Sequence, residues 1–395
     1  MFILRDLLSP LQAQFSQTPL GRERASLFAY TLLSVIIPFT SSMTSNLLRC
    51  LETLFGIRIK RKRFYTFMAS STLPWRDLWQ SVWRLIPAPE TEGRLLLAVD
   101  DFITPKVGKN IFGCETIFDH AAKANQSRYP WAQNGVAVGL LKHVKGRWAC
   151  LFLAFRFYLP IKTIQARKDT AKLKGHLVPF QTKLDQAGDM LLAIANHFPT
   201  APLLAVMDSW FGNESLWKPV RRVLGERFHL ITRLRSNNVL YASPEPLKLG
   251  LRGRRPKYGR RLGSTTTVAQ TVRAQATPYQ VNLYGKRREV QATDRIVMLK
   301  TLKCPVRVVW VFRKTQWLAL MTTDLKLSVT QIIEYYGARW KIESGFKELK
   351  QDVGSQKSQC RNGLAVTNPL NFLYHGGHGD LDLCGPLKGR PGAPA

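Results

Sequence analysis

A chain of 395 residues with 45% hydrophobic and 10% aromatic content can bury a large core. That composition excludes wholesale disorder and leaves room for two or three domains. Lys+Arg 58 against Asp+Glu 26 gives a formal charge of +32, whereas small soluble domains carry about 2–8, so the excess points to nucleic acid more than to a membrane surface.

Six cysteines (Cys50, Cys114, Cys150, Cys304, Cys360 and Cys384) stand far apart, with no C-x-x-C and no histidine at metal spacing. They read as reduced structural thiols of a cytoplasmic protein, not as zinc ligands.

Residues 1–89 read as a helical, DNA-binding domain. Apolar positions recur over Leu27–Ile37 and Leu47–Phe55, and Phe64–Trp83 mixes aromatics with Arg76. The run Leu27–Phe39 is too short to span a bilayer and lacks a cleavage pattern, so it reads as a buried helix ended by Pro38. The cluster Arg58-Ile-Lys60-Arg61-Lys62-Arg63 is either a solvated turn or a DNA-contacting face with Arg61 and Arg63 on it.

Pro87–Gly93 reads as a linker. The apolar run from Arg94 into Asp100 and Asp101 then predicts a buried strand presenting carboxylates at its end. Thr104–Lys109 is a basic turn beside them, with Lys106 a candidate DNA contact. Gly135–Leu141 and Trp148–Tyr158 predict a hairpin turning at Lys145-Gly146. The preceding loop (Asp119–Gln126, Tyr129, Trp131, Gln133) suits phosphate contacts and base stacking, or is simply structural. A helix is predicted over Ala171–His197, with Lys183 and Asp185 facing outward. Leu203–Asp208 is a second strand running into an acid, followed by a helix from Gly212 or Asn213.

Phe228–Arg233 predicts a further strand. Leu249–Gly263 is a basic Gly/Pro loop whose Arg254, Arg255 and Lys257 suit the DNA backbone. Short β-like runs follow up to Thr323, longer than a direct connection needs. They divide the chain into a core (90–233), a β-rich insertion (234–304) and the second part of the core (305–374). Residues 375–395 are a Gly/Pro-rich tail read as disordered, through truncation or a change of reading frame.

The stretch Tyr336-Gly-Ala-Arg339-Trp-Lys-Ile-Glu343, continuing to Lys350, predicts one helix capped at Ser328 or Thr330. At roughly 100° per residue, Tyr336, Arg339, Glu343 and Lys350 fall within about 60° around its axis. The plain reading of that stripe is a salt-bridged surface helix. The chemical one joins Glu343 to the two upstream acids. Two strand ends and one helix supplying carboxylates is the arrangement of an α/β, RNase H-like fold. Carboxylates in that setting suit two hard divalent ions, Mg²⁺ or Mn²⁺, for phosphoryl transfer. Asp101, Asp208 and Glu343 are then the catalytic and metal-binding set, with Asp100 a further candidate ligand. Arg339 and Lys350 are placed for phosphates, and Tyr336 for a displaced base or a phosphate.

From Asp100 to about Tyr374 the chain resembles the DDE transposases of bacterial insertion sequences, in the insertion-sequence-four-like branch. The resemblance rests on the two aspartates and on the Tyr336, Arg339, Glu343 and Lys350 spacing. It implies metal-dependent nicking of double-stranded DNA at element ends, strand transfer by the freed 3′-hydroxyl, and release through a hairpin. It also implies a homodimer in a synaptic complex, acting in the cytoplasm at the nucleoid and away from membranes. Within it Asp101 is preferred to Asp100, because relatives carry the acid directly before a small or turn residue, although Phe102 replaces their usual threonine. A stand-alone RNase H-like nuclease and an inactive DNA-binding remnant are the competing readings.

Overall fold

The computed structural model describes residues 3–37, 41–119, 122, 124–144, 146–245, 256–351 and 360–380. After a π-helical turn at Ile3–Leu8 come α1 (Ser9–Gln12), α2 (Pro19–Ile36), α3 (Thr44–Phe55), α4 (Arg61–Met68) and α5 (Trp75–Leu85). Thr18 starts α2 by accepting a hydrogen bond from the Gly21 N–H, and proline follows it at the first helical position. Gly56 stops α3 in the left-handed region at φ 68°. The aromatic segment Phe64–Trp83 falls on two helices, α4 and α5, parted by the turn that ends in Pro74.

The sheet is built outward from β1 (Leu95–Pro105). A two-residue strand, β2 (Glu115–Thr116), caps β3 (Trp131–Val144), which lies antiparallel to β1, and β4 (Arg147–Tyr158) pairs with β3. On the other side β7 (Leu203–Met207) and β8 (Phe228–Arg233) run parallel to β1. Two antiparallel strands, a centre and two parallel strands form an RNase H-like core. Between β4 and β7 lie the short α6 (Ile161–Ala166), a ribbon of β5 (Lys172–Leu173) and β6 (His176–Leu177), and α7 (Lys183–His197). The helix expected from Ala171 therefore starts twelve residues later. Lys174 and Gly175 turn the ribbon with φ of 53° and 84°, and Thr182 with Asp185 forms the capping box that begins α7.

After α8 (Glu214–Leu224), the inserted strands extend the same sheet past β8 instead of forming one of their own. They are β9 (Val239–Tyr241), β10 (Arg261–Ser264), β11 (Thr277–Leu283), β12 (Lys286–Leu299), β13 (Cys304–Arg313) and β14 (Gln316–Thr322), with α9 (Thr265–Val272) folded among them. β12 pairs with β13 and β14 with β8, so the boundary expected at 304 falls inside a hairpin.

Each face of the sheet carries its own core. On one, α7, α8 and α9 cover Leu97, Val99, Ala205 and Met207; on the other, α10 (Val329–Ala338), α11 (Trp340–Gln351), α12 (Gly363–Asp380) and the N-terminal helices cover Leu96, Ala98, Leu204 and Val206. Gly345 lets α11 lie this close. A Cβ there would stand 2.8 Å from the Phe152 ring of β4, with which Phe346 stacks at 5.2 Å.

The final helix, α12, runs to Asp380 through part of the stretch read as a tail; residues 381–395 lie outside the described residues. It ties the two ends of the chain together. Phe372 is fully buried with ring centroids 5.0 Å from Phe28 and 5.1 Å from Trp75, and Asn368 and Asn371 accept hydrogen bonds from the Trp75 and Trp79 indoles at 2.8 and 2.9 Å. Phe372→Ala should therefore cost about 3–5 kcal/mol of unfolding free energy in a urea titration. A loss below about 1 kcal/mol would mean that α12 is not part of the cooperative core.

Candidate active site

β1 does not end at its aspartates; it continues four residues beyond Asp101. Its parallel neighbour does end there. The last β1–β7 partners are Val99 and Met207, and past them β1 is held only by β3. The sheet thus opens at the carboxyl end of its parallel strands, where ligands bind in α/β folds.

Strand alternation decides which aspartate faces which helix. Asp100 shares its face with Leu96, Ala98 and Phe102, the face under α11, and Asp208, two residues after Val206, continues that face from β7. Ile342 and Phe346 anchor α11 on it, so Glu343 arrives on the same side. Asp101 shares its face with Leu97 and Val99 and turns toward α7, where its carboxylate accepts a hydrogen bond from the Lys183 ammonium. Arg339 ties Asp100 to Glu343, while Asp101, paired with Lys183, lines the same pocket as Asp100, Asp208 and Glu343. In the sequence the two adjacent acids look alike; only the register of β1 separates them. Lys183, expected to face solvent, is turned inward and half-buried, 5.4 and 5.7 Å from the ring centroids of Tyr158 and Trp210.

The predicted helix over 328–350 is two helices meeting at Arg339. Ser328 begins α10 with a capping box, and at the junction the Arg339 N–H is shared between the carbonyls of Tyr335 and Tyr336, 3.3 Å from each. The Arg339 guanidinium is 5% exposed and forks between two acids, donating to Asp100 Oδ2 at 2.8 Å and to Glu343 Oε1 at 2.8 Å. Its Nε is buried without a hydrogen-bond partner among the described residues. Burial works to lower its pKa, but the charges of Asp100, Tyr336 and Glu343 together hold it above the ordinary arginine value. Asp208 Oδ1 accepts from the N–H groups of Trp210 and Phe211 at 2.9 and 3.1 Å, so it shapes the turn into α8 as well as facing the pocket.

Lys350 lines the same pocket, half-buried; it donates to the Ile103 carbonyl at 2.7 Å, and burial lowers its pKa. Other expected contacts lie elsewhere. Lys106 is 7% exposed, pulled down to about 8 chiefly by burial, and so faces the interior. Tyr336 is half-buried with its ring 5.7 Å from the Arg339 guanidinium carbon. Lys257 and Arg61 are exposed, as is Arg63, which pairs with Glu23. Arg254 and Arg255 lie outside the described residues. Sequence reasoning missed Lys347, Trp210 and Arg235, which line the same pocket of about 1100 Å³ as Asp100, Asp208 and Glu343. The signal for Trp210 was present in the dipeptide Ser209-Trp210 directly after the strand-ending Asp208.

The donor chemistry fits a hard divalent cation: the groups are all oxygen, and they face one another across a pocket. As the side chains stand, no three His, Cys, Asp or Glu groups among the described residues are arranged to hold one ion, and the Arg339 fork lies between Asp100 and Glu343. A cation on these acids would require them to turn from that arginine.

Burial raises Asp100 to about 7; Arg339 opposes the shift, while Asp101, Glu343 and Asp208 add to it. The folded protein thus holds this proton more tightly than the unfolded chain, and the stability it contributes at low pH is lost as pH rises from about 4 to about 7. In the absence of divalent ions, the unfolding free energy of the wild type relative to Asp100→Asn should fall across that window in urea titrations. A relative stability that climbs with pH would contradict the burial account.

No curated protein matches the chain. Residues 33–295, about two-thirds of the chain, match the family model described as DDE superfamily endonuclease, which takes in Asp100 and Asp208 and stops short of Glu343. With an RNase H-like core, two acids inside the match and a third brought beside them by α11, the chain belongs to the DDE superfamily endonucleases.

Proposed function

We propose that the protein is a DNA transposase of the insertion-sequence-four-like branch, cutting element ends and joining them to target DNA. The observation that carries this reading is the meeting of Asp100, Asp208 and Glu343 on one face at the open edge of the sheet. These three would hold two Mg²⁺ or Mn²⁺ ions, which when bound supply charge neutralisation for the attacking and leaving oxygens. Asp101 holds Lys183 at the pocket wall, and Lys183 with Lys347 offers positive charge to the phosphates flanking the scissile one. Arg339 bridges Asp100 and Glu343 and, released from them, would offer its guanidinium to a phosphate.

The charge of +32 and the exposed Arg61, Arg63 and Lys257 support double-stranded DNA as the partner. A homodimer in a synaptic complex, working at the nucleoid in the cytoplasm, completes the reading. Among the described residues no helix is long and apolar enough to cross a membrane.

Incubation with element-end DNA and Mn²⁺ separates the readings. Wild type should nick and then join the ends; nicking without joining fits a stand-alone nuclease, and binding alone fits a remnant. Glu343→Gln should lower nicking by more than about a hundredfold, as loss of a metal ligand removes several kcal/mol of transition-state stabilisation, while leaving DNA affinity nearly unchanged. Nicking that survives this substitution would end the assignment.

A further inference from the structure

The carboxylate pocket does not close behind Asp208. It runs over the turn after β7 into a hollow of about 260 Å³ and then into one of about 580 Å³ beside β8. Ser209 and Arg235 line all three hollows, so they form one groove.

The groove changes character along its length. Its acids stand at one end only; among the described residues the two outer hollows are lined by none. What lines them instead is Arg233 and Arg235, polar groups such as Asn238, and the ring of Trp317. Both arginines are exposed, and no carboxylate pairs with either among the described residues. At the crossing from the acidic end stands Trp210, which is 42% exposed although the rest of its turn is tied down by Asp208. An indole held that open on a rigid turn costs apolar hydration and offers a flat face.

Cations at the height of a backbone beside an aromatic face are what a single strand needs, since unpaired bases stack on aromatic rings of any sequence context. A duplex keeps its base faces covered, so an exposed indole face favours an unpaired strand. We propose that this groove takes an unpaired stretch of the DNA strand leaving the carboxylate pocket, with one base stacked on Trp210 and the phosphates on Arg233 and Arg235. The inference rests on the nuclease reading above for the identity of the nucleic acid.

The test is binding, measured by fluorescence anisotropy in EDTA so that no cutting occurs. Two substrates are compared: a blunt duplex, and the same duplex with a short single-stranded extension. Trp210→Ala should weaken the extended substrate roughly 5- to 100-fold, the range of a lost base–aromatic stack, and leave the blunt one unchanged. Trp210→Phe should retain most of the preference. Arg235→Ala should lower the salt slope by about 0.7 on the extended substrate only. Equal weakening of both substrates, or none of either, would overturn the groove. That failure is separable from failure of the nuclease reading: Glu343→Gln reports on cutting alone and leaves this binding difference untouched.

Discussion

The arrangement turns on a single buried guanidinium. Arg339 joins Asp100 of the central strand to Glu343 of the helix laid across it, with 2.8 Å contacts on either side. Taking one acid and one arginine out of water costs several kcal/mol per charge, and a buried pair often does no better than break even. Such a contact is weak evidence of added stability. Its effect is positional, since a planar fork fixes two carboxylates relative to each other and to the strand beneath. The break between α10 and α11 falls on the same residue. Arg339 is thus at once the end of one helix, the start of the next, and the link from both to the sheet.

The sheet explains why the acids are in reach at all. β7 stops beside Val99 while β1 runs on with β3, which leaves the Asp100 backbone paired on one side only. A longer β7 would cover Asp100 with a neighbouring strand. A shorter β1 would leave nothing for Phe346 and Lys350 of α11 to rest on. The aromatic layer of Phe102, Phe152 and Phe346 underlies Glu343, with Phe346 centred 5.4 Å from Phe102. Rigid packing below and an open edge above is a general requirement of a site that must hold groups still and admit a large substrate.

Much of this was legible in the sequence because the signals were local. Continuous apolar runs ending in acids marked β1 and β7, and the composition from Arg94 to Tyr158 gave the central strands. The stripe of Tyr336, Arg339, Glu343 and Lys350 marked a helix with one chemical face. What could not be read was relational. Neighbouring aspartates differ only in the face to which a pleated strand turns them, so Asp100 and Asp101 were separated by register alone. Lys183 looked like a solvated helix residue because its partner lies 82 positions away. Lys106 looked like a DNA contact because charge normally seeks water, yet here its aliphatic stem is buried. The groove past Trp210 involves β8, the turn before α8 and the start of β9, segments with no shared sequence pattern.

The proposed function has Asp100, more than its neighbour, share a cation with Asp208 and Glu343. Titration of Mn²⁺ followed by electron paramagnetic resonance tests it without DNA and without turnover. Asp100→Asn should abolish the tightest Mn²⁺ binding, and Asp101→Asn should leave it within a few-fold of wild type. The reverse order, with binding lost in Asp101→Asn and kept in Asp100→Asn, would contradict the assignment of the acidic face.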